Sequence, residues 1–167
     1  MKRISLNVLL ILVMLGVMGA TPTTTTFAVP LSGDEEVPPR ATRARGTAVL
    51  QFNADATELS YMLIAANVHN VVAAHIHCGA AGVNGPVGLT LFSGGQAGGG
   101  RFDGVLAQTT KFAPDPGNAC GWVTLADVLA AIHTGNTYVN LHTNDGVAPP
   151  NTGPGDFPGG EIRGQID

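Results

Sequence analysis

Ala74-His75-Ile76-His77-Cys78-Gly79 sets two histidines two residues apart in an apolar segment and follows them with a glycine-rich loop. Successive side chains of a β-strand point to opposite faces, so His75 and His77 share one face and Ile76 takes the other. Two imidazoles side by side on a strand suit a metal ion or a polar ligand better than an apolar core. Residues 71–78 therefore read as a strand. The same period of two recurs in residues 27–32, 46–52, 59–65, 87–92, 102–108, 138–143 and 161–166, between stretches rich in Gly, Pro, Asn and Asp. One helix is expected where Thr124 provides a cap, Asp127 follows three residues later, and Leu125, Val128, Leu129 and Ile132 form an apolar stripe before Gly135. About eight strands and one short helix predict an all-β, immunoglobulin-like Greek-key sandwich or barrel.

The ends of the chain set its compartment. Lys2 and Arg3 precede an uncharged apolar run from about Leu6 to Met18, the pattern of a secretory leader too short to span a bilayer comfortably. Residues 1–20 are assigned to that signal peptide, residues 21–26 to a Thr/Pro linker, and residues 27–167 to one domain. Contact with a membrane is expected only through the leader, if it stays uncleaved. Two of the eight Lys and Arg side chains lie in the leader, so six face twelve Asp and Glu in the remainder. That balance excludes a nucleic-acid partner, which needs clustered cations for the phosphate backbone. Cys78 and Cys120 are the only cysteines. In an exported chain they are expected to form a disulfide, the alternative being two unpaired small hydrophobes.

Further polar rows could meet the His75 and His77 pair. Along residues 138–143 the period of two places Tyr138, Asn140 and His142 on one face, opposite Val139 and Leu141. On the last strand Glu161, Arg163 and Gln165 share a face in the same way. If those strands are neighbours, His75, His77 and His142 form a candidate metal site for copper or zinc, with Glu36, Asn140, Glu161 and Arg163 as polar neighbours. Glu36, in a stiff turn beside Pro38 and Pro39, would accept from a histidine or from Arg163. The alternative is a polar network that ties strands together or contacts a ligand. His133, near the end of the expected helix, reads as structural or solvated. No serine lies in a Gly-x-Ser-x-Gly elbow, and the glycines of residues 94–100 lack the Lys-Ser or Lys-Thr pair of a phosphate loop.

Four ordered motifs carry a resemblance: Leu31-Ser32-Gly33-Asp34-Glu35-Glu36-Val37-Pro38-Pro39; Ala73-Ala74-His75-Ile76-His77-Cys78-Gly79 with Gly82, Asn84, Gly85 and Pro86; Tyr138-Val139-Asn140-Leu141-His142-Thr143; and Gly159-Gly160-Glu161-Ile162-Arg163-Gly164-Gln165. Together they resemble the CHRD domain, named for chordin and found also in secreted bacterial proteins. The resemblance implies an immunoglobulin-like β-barrel and an extracellular setting, with no catalytic activity attached to the domain. Chordin's growth-factor antagonism belongs with cysteine-rich modules that this chain lacks. The His-x-His strand is similar, over that motif alone, to the strand of Cu,Zn superoxide dismutase. The leading expectation is thus a secreted, non-enzymatic interaction module for an extracellular protein or matrix ligand. Its rival is a copper- or zinc-binding protein built on the three histidines, with redox activity as an option.

Overall fold

The computed structural model describes residues 23–167, so the leader lies outside the described residues. Eight strands form one antiparallel sheet: β1 (Thr25–Ser32), β2 (Arg45–Phe52), β3 (Leu59–His69), β4 (Val71–Cys78), β5 (Val87–Ser93), β6 (Arg101–Lys111), β7 (Thr137–Thr143) and β8 (Ile162–Gln165). Their spatial order is β5-β4-β7-β8-β1-β2-β3-β6. The two end strands, β5 and β6, touch, so the sheet curls into a nearly closed barrel. This is the all-β barrel that the alternation predicted. Thr25 and Thr26, read as linker, are the first residues of β1 and pair with Phe52 and Gln51 of β2. At the other end, Glu161 falls just before β8, which starts at Ile162.

The apolar halves of the strands fill the barrel. Val29 and Leu31, Leu50 and Phe52, Leu59 and Leu63, Ile76, Leu89, Val139, Leu141 and Ile162 are all buried. Burying a side chain of this size contributes roughly 2 kcal/mol through apolar area alone. The helix α1 (Leu125–His133) adds Leu125, Val128 and Ile132 to the same core. Its start is the expected capping box: Thr124 accepts from the Asp127 amide, and the Asp127 carboxylate accepts from the Thr124 amide. His133 is exposed at the helix end and meets the Phe27 ring edge-on.

Two long-range pairings place the polar row. Strands β4 and β7 lie side by side with His75 opposite Asn140, His77 opposite Tyr138 and Ala73 opposite His142. On the other flank of β7, Asn140 faces Arg163 and Tyr138 faces Gln165 of β8. The β4/β5 register slips twice, between Ala74 and His75 and between Ile76 and His77. Such bulges re-aim the side chains around them, here on either side of His75. Cys78, the last residue of β4, is bonded to Cys120 as expected. That link fixes the loop before α1 to the end of the histidine strand.

Candidate metal centre

His75, His77 and His142 come together on the outer face of β4 and β7, with one ring nitrogen from each lying within 4.8 Å of the other two. Their ring centroids are 4.9 to 5.6 Å apart. Metal–nitrogen bonds of about 2.0–2.1 Å in a tetrahedral site need donor atoms roughly 3.3 Å apart, so a bound ion would draw the rings inward by an ångström or so. The spacing of two supplied the first pair. His142, the third candidate on condition that its strand adjoins the first, is brought beside them by the β4/β7 pairing, 65 positions beyond His77.

The protonation pattern follows from the partners. Nδ1 of His77 lies 2.9 Å from the carbonyl oxygen of Gly85, and Nδ1 of His142 lies 2.9 Å from that of Pro158. A carbonyl only accepts, so in each neutral ring Nδ1 carries the proton and Nε2 keeps its lone pair. Both Nε2 atoms are buried and have no hydrogen-bond partner, as does Nδ1 of His75. A buried polar atom without a partner is costly, and in three clustered rings such nitrogens keep lone pairs that could accept from a polar ligand or coordinate a metal ion. Burial pushes the pKa of His77 down to about 4 against the pull of its Gly85 bond, with His75 and Arg163 pushing the same way. Burial, with help from His75 and His77, brings His142 to about 4. His75 is also lowered by burial, partly offset by the charge of Asp115. The three rings are therefore neutral and ready to coordinate at neutral pH.

The surrounding residues divide into two groups. Asn140 stands among the histidines, cross-strand from His75 and two residues from His142. Its amide Nδ2 donates to Glu36 Oε2 at 3.4 Å, and its Oδ1 is buried without a partner, as is Glu36 Oε1. The Glu36 carboxyl is pushed up to about 7 by burial, against the lowering charges of Arg163 and Arg40. The carboxyl thus accepts from Asn140, and among the described residues neither a histidine nor Arg163 donates a hydrogen bond to it. Tyr138 stacks on His77 with centroids 4.8 Å apart and planes 10° from parallel. The guanidinium carbon of Arg163 lies 3.4 Å from the centroid of the same ring.

Glu161 and Arg163 do not turn toward the histidines. Glu161 accepts from the hydroxyls of Thr42 (2.6 Å) and Thr143 (2.7 Å) and from the Gly155 amide (2.8 Å). Arg163 donates to the carbonyls of Ala80 (3.2 Å) and Val83 (3.0 Å) and to the side chains of Asn84 and Gln165. Both reach outward to loops that fold over the site. Those loops supply the contributors missed in sequence, the carbonyls of Gly85 and Pro158. A backbone carbonyl carries no residue-type signal, and the only hint was the Gly85-Pro86 turn directly after the histidine strand.

The CHRD domain family matches this chain over residues 27–166. No curated protein and no solved structure matches it. The Cys78–Cys120 disulfide and that family match are both compatible with an extracellular location.

Proposed function

Taking as premise that the chain belongs to the CHRD domain family, we propose that it is an exported extracellular module whose three-histidine centre binds a transition-metal ion. Copper is the first expectation and zinc the second. The observation that carries this is a cluster of three histidines, each offering one ring nitrogen within 4.8 Å of the others' and each having a buried ring nitrogen with no hydrogen-bond partner. All three donors are neutral nitrogens, which suit copper and zinc rather than calcium or magnesium. On a fixed set of nitrogen donors, Cu²⁺ binds more tightly than Zn²⁺ by the general affinity order of divalent metals. Nδ1 of two of the three rings is held by a backbone carbonyl, the outer support that metal-binding histidines ordinarily have. With three protein ligands, a bound ion keeps a position for an outside molecule, and the half-buried His75 lies at the exposed side of the cluster. That position is where an extracellular protein or matrix ligand would meet the module.

Export rests on the basic residues and apolar run of the leader, and on the disulfide. Expressing the full chain in a bacterium with a periplasm tests it, with a mature N-terminus near Thr21 as the expected result. For the metal, the metal-free protein is titrated with Cu²⁺ and Zn²⁺ while melting temperature and the copper electron paramagnetic resonance spectrum are followed. Nitrogen couplings in that spectrum and a raised melting temperature are expected, both lost in His75→Ala and His142→Ala. If neither ion moves the melting temperature of the native protein and no nitrogen coupling appears, the metal reading is wrong.

A further inference from the structure

Glu161 and Arg163 are 0% and 1% exposed, and among the described residues neither is in an ion pair. Burying a charge costs several kcal/mol unless hydrogen bonds replace the lost water. Besides the bonds to Thr42 before β2 and to Gln165, each of the two is tied to a different loop. Arg163 spends three of its own on residues 80–84, through the carbonyls of Ala80 and Val83 and the Asn84 amide oxygen. Glu161 accepts from Gly155 and from Thr143, whose hydroxyl oxygen also accepts from the Phe157 amide. Each of these loops then delivers one carbonyl to one histidine, Gly85 to His77 and Pro158 to His142.

We propose that Glu161 and Arg163 are a pair of positioning residues, each clamping the loop whose carbonyl fixes the tautomer and orientation of one histidine. Arg163 acts on His77 and Glu161 acts on His142. The effect on metal affinity rests on the proposed metal centre; the effect on the tautomers does not. The physical link is the single proton of a neutral imidazole. While the carbonyl stays at 2.9 Å, the proton is held on Nδ1 and the buried Nε2 keeps a free lone pair. Once the loop drifts, the proton populates Nε2 and removes the donor. Arg163 has a second route, since it lies against the Tyr138 ring that stacks on His77, and the Tyr138 hydroxyl exchanges hydrogen bonds with Gly85. His75 has no such carbonyl, and no third clamp exists for it among the described residues.

The test reads the tautomers in ¹⁵N-labelled, metal-free protein at pH 8 by long-range proton–nitrogen correlation of the imidazoles. In the native chain, His77 and His142 are expected to carry the proton on Nδ1. Arg163→Lys keeps the charge but loses the planar fork and the stack. It is expected to mix the His77 tautomers while leaving those of His142 alone. Glu161→Gln is expected to do the reverse. Cu²⁺ affinity, measured by competition with a chelator, falls about 10- to 100-fold in each. Should either variant fail to fold, Asn84→Ala removes the one bond from Arg163 and is expected to act on His77 more weakly, and Thr143→Val removes the two bonds at the Thr143 hydroxyl and is expected to act on His142 more weakly. The proposal is overturned if both histidines respond alike to each substitution, or if neither responds in a folded variant. Native protein with the expected tautomers but no affinity for copper sinks the metal centre and leaves the clamps standing. Copper binding with unresponsive tautomers sinks the clamps alone.

Discussion

Acidifying the metal-free protein probes the buried polar face directly, because its groups are shifted in opposite directions. His77 and His142 go from an ordinary 6.5 to about 4. The contribution of each to stability is complete above pH 6.5 and is lost as the pH falls toward 4, where the unfolded chain binds a proton that the folded one refuses. Glu36 goes from 4.5 to about 7. Its contribution is complete below pH 4.5 and is lost as the pH rises through 7, because the folded state there holds a proton that the unfolded chain gives up. Between pH 4.5 and 6.5 the unfolded chain therefore binds two extra protons at the histidines and one fewer at Glu36, a net of one. One proton corresponds to a slope of about 1.4 kcal/mol per pH unit, so stability falls by about 3 kcal/mol across that window, with His75 adding in the same sense. Glu36→Gln removes the opposing group and is near-isosteric, and its amide can still accept from Asn140. The slope should then double, to about 2.7 kcal/mol per unit, while stability above pH 7 rises. Urea midpoints with an excess of chelator, taken every half unit from pH 4.5 to 8 for both proteins, measure it. Equal slopes in the two proteins, or a native protein that gains stability on acidification, would refute the reasoning.

The remaining expectations concern the site, its glycine and its disulfide. Because His77 and His142 titrate near 4, proton competition at these two members of the proposed centre should lower copper affinity less than about two-fold between pH 7 and pH 5, whereas two ordinary imidazoles would lower it several hundredfold; competition titrations at the two pH values, with His75→Ala to remove the third ring, decide between these. Gly160→Ala should cost about 3 kcal/mol, since φ there is +129° and a Cβ would stand 2.5 Å from the Asn140 amide and 2.7 Å from Glu36 Oε1. A loss below 1 kcal/mol in denaturant would show that the loop shifts freely over the site. Replacing Cys78 and Cys120 together by serine removes a link spanning 42 residues and should cost up to about 4 kcal/mol, read as a lower urea midpoint. Its loss should also weaken copper binding at the proposed centre, because Cys78 directly follows His77.

How far the sequence reaches is clearest at β7. Alternation correctly put Tyr138, Asn140 and His142 on one face, yet every residue of the strand is buried. Periodicity distinguishes two faces; it does not reveal that the polar face is roofed by other parts of the chain. Here the roof is residues 79–86 on one side and residues 144–160 on the other, whose backbone groups bond to His77, Tyr138, His142 and Thr143. Loops dense in Gly, Pro and Asn leave almost no trace of where they will settle. The helix was legible because its cap is local, three residues from Thr124 to Asp127, and the histidine strand because its signal is two residues long.

The same distinction explains why Glu161 and Arg163 were grouped with the histidines in sequence but bond elsewhere in the fold. A shared strand face sets where a side chain starts, and for residues this long it does not set where the charged end goes. Arg163 begins opposite Asn140 and finishes at the carbonyls of residues 80 and 83. Glu36, expected as a neighbour that would accept from a histidine or Arg163, reaches the site through a different donor. It begins in a turn after β1, far from the histidines in sequence, and ends on Asn140 in their midst. The charged residues of the motif at residues 159–165 thus bond to the loops, and the three imidazoles cluster without a fixed charge bonded to them. A buried site that must keep three donors neutral gains from placing its fixed charges one layer out, where backbone and hydroxyl groups satisfy them.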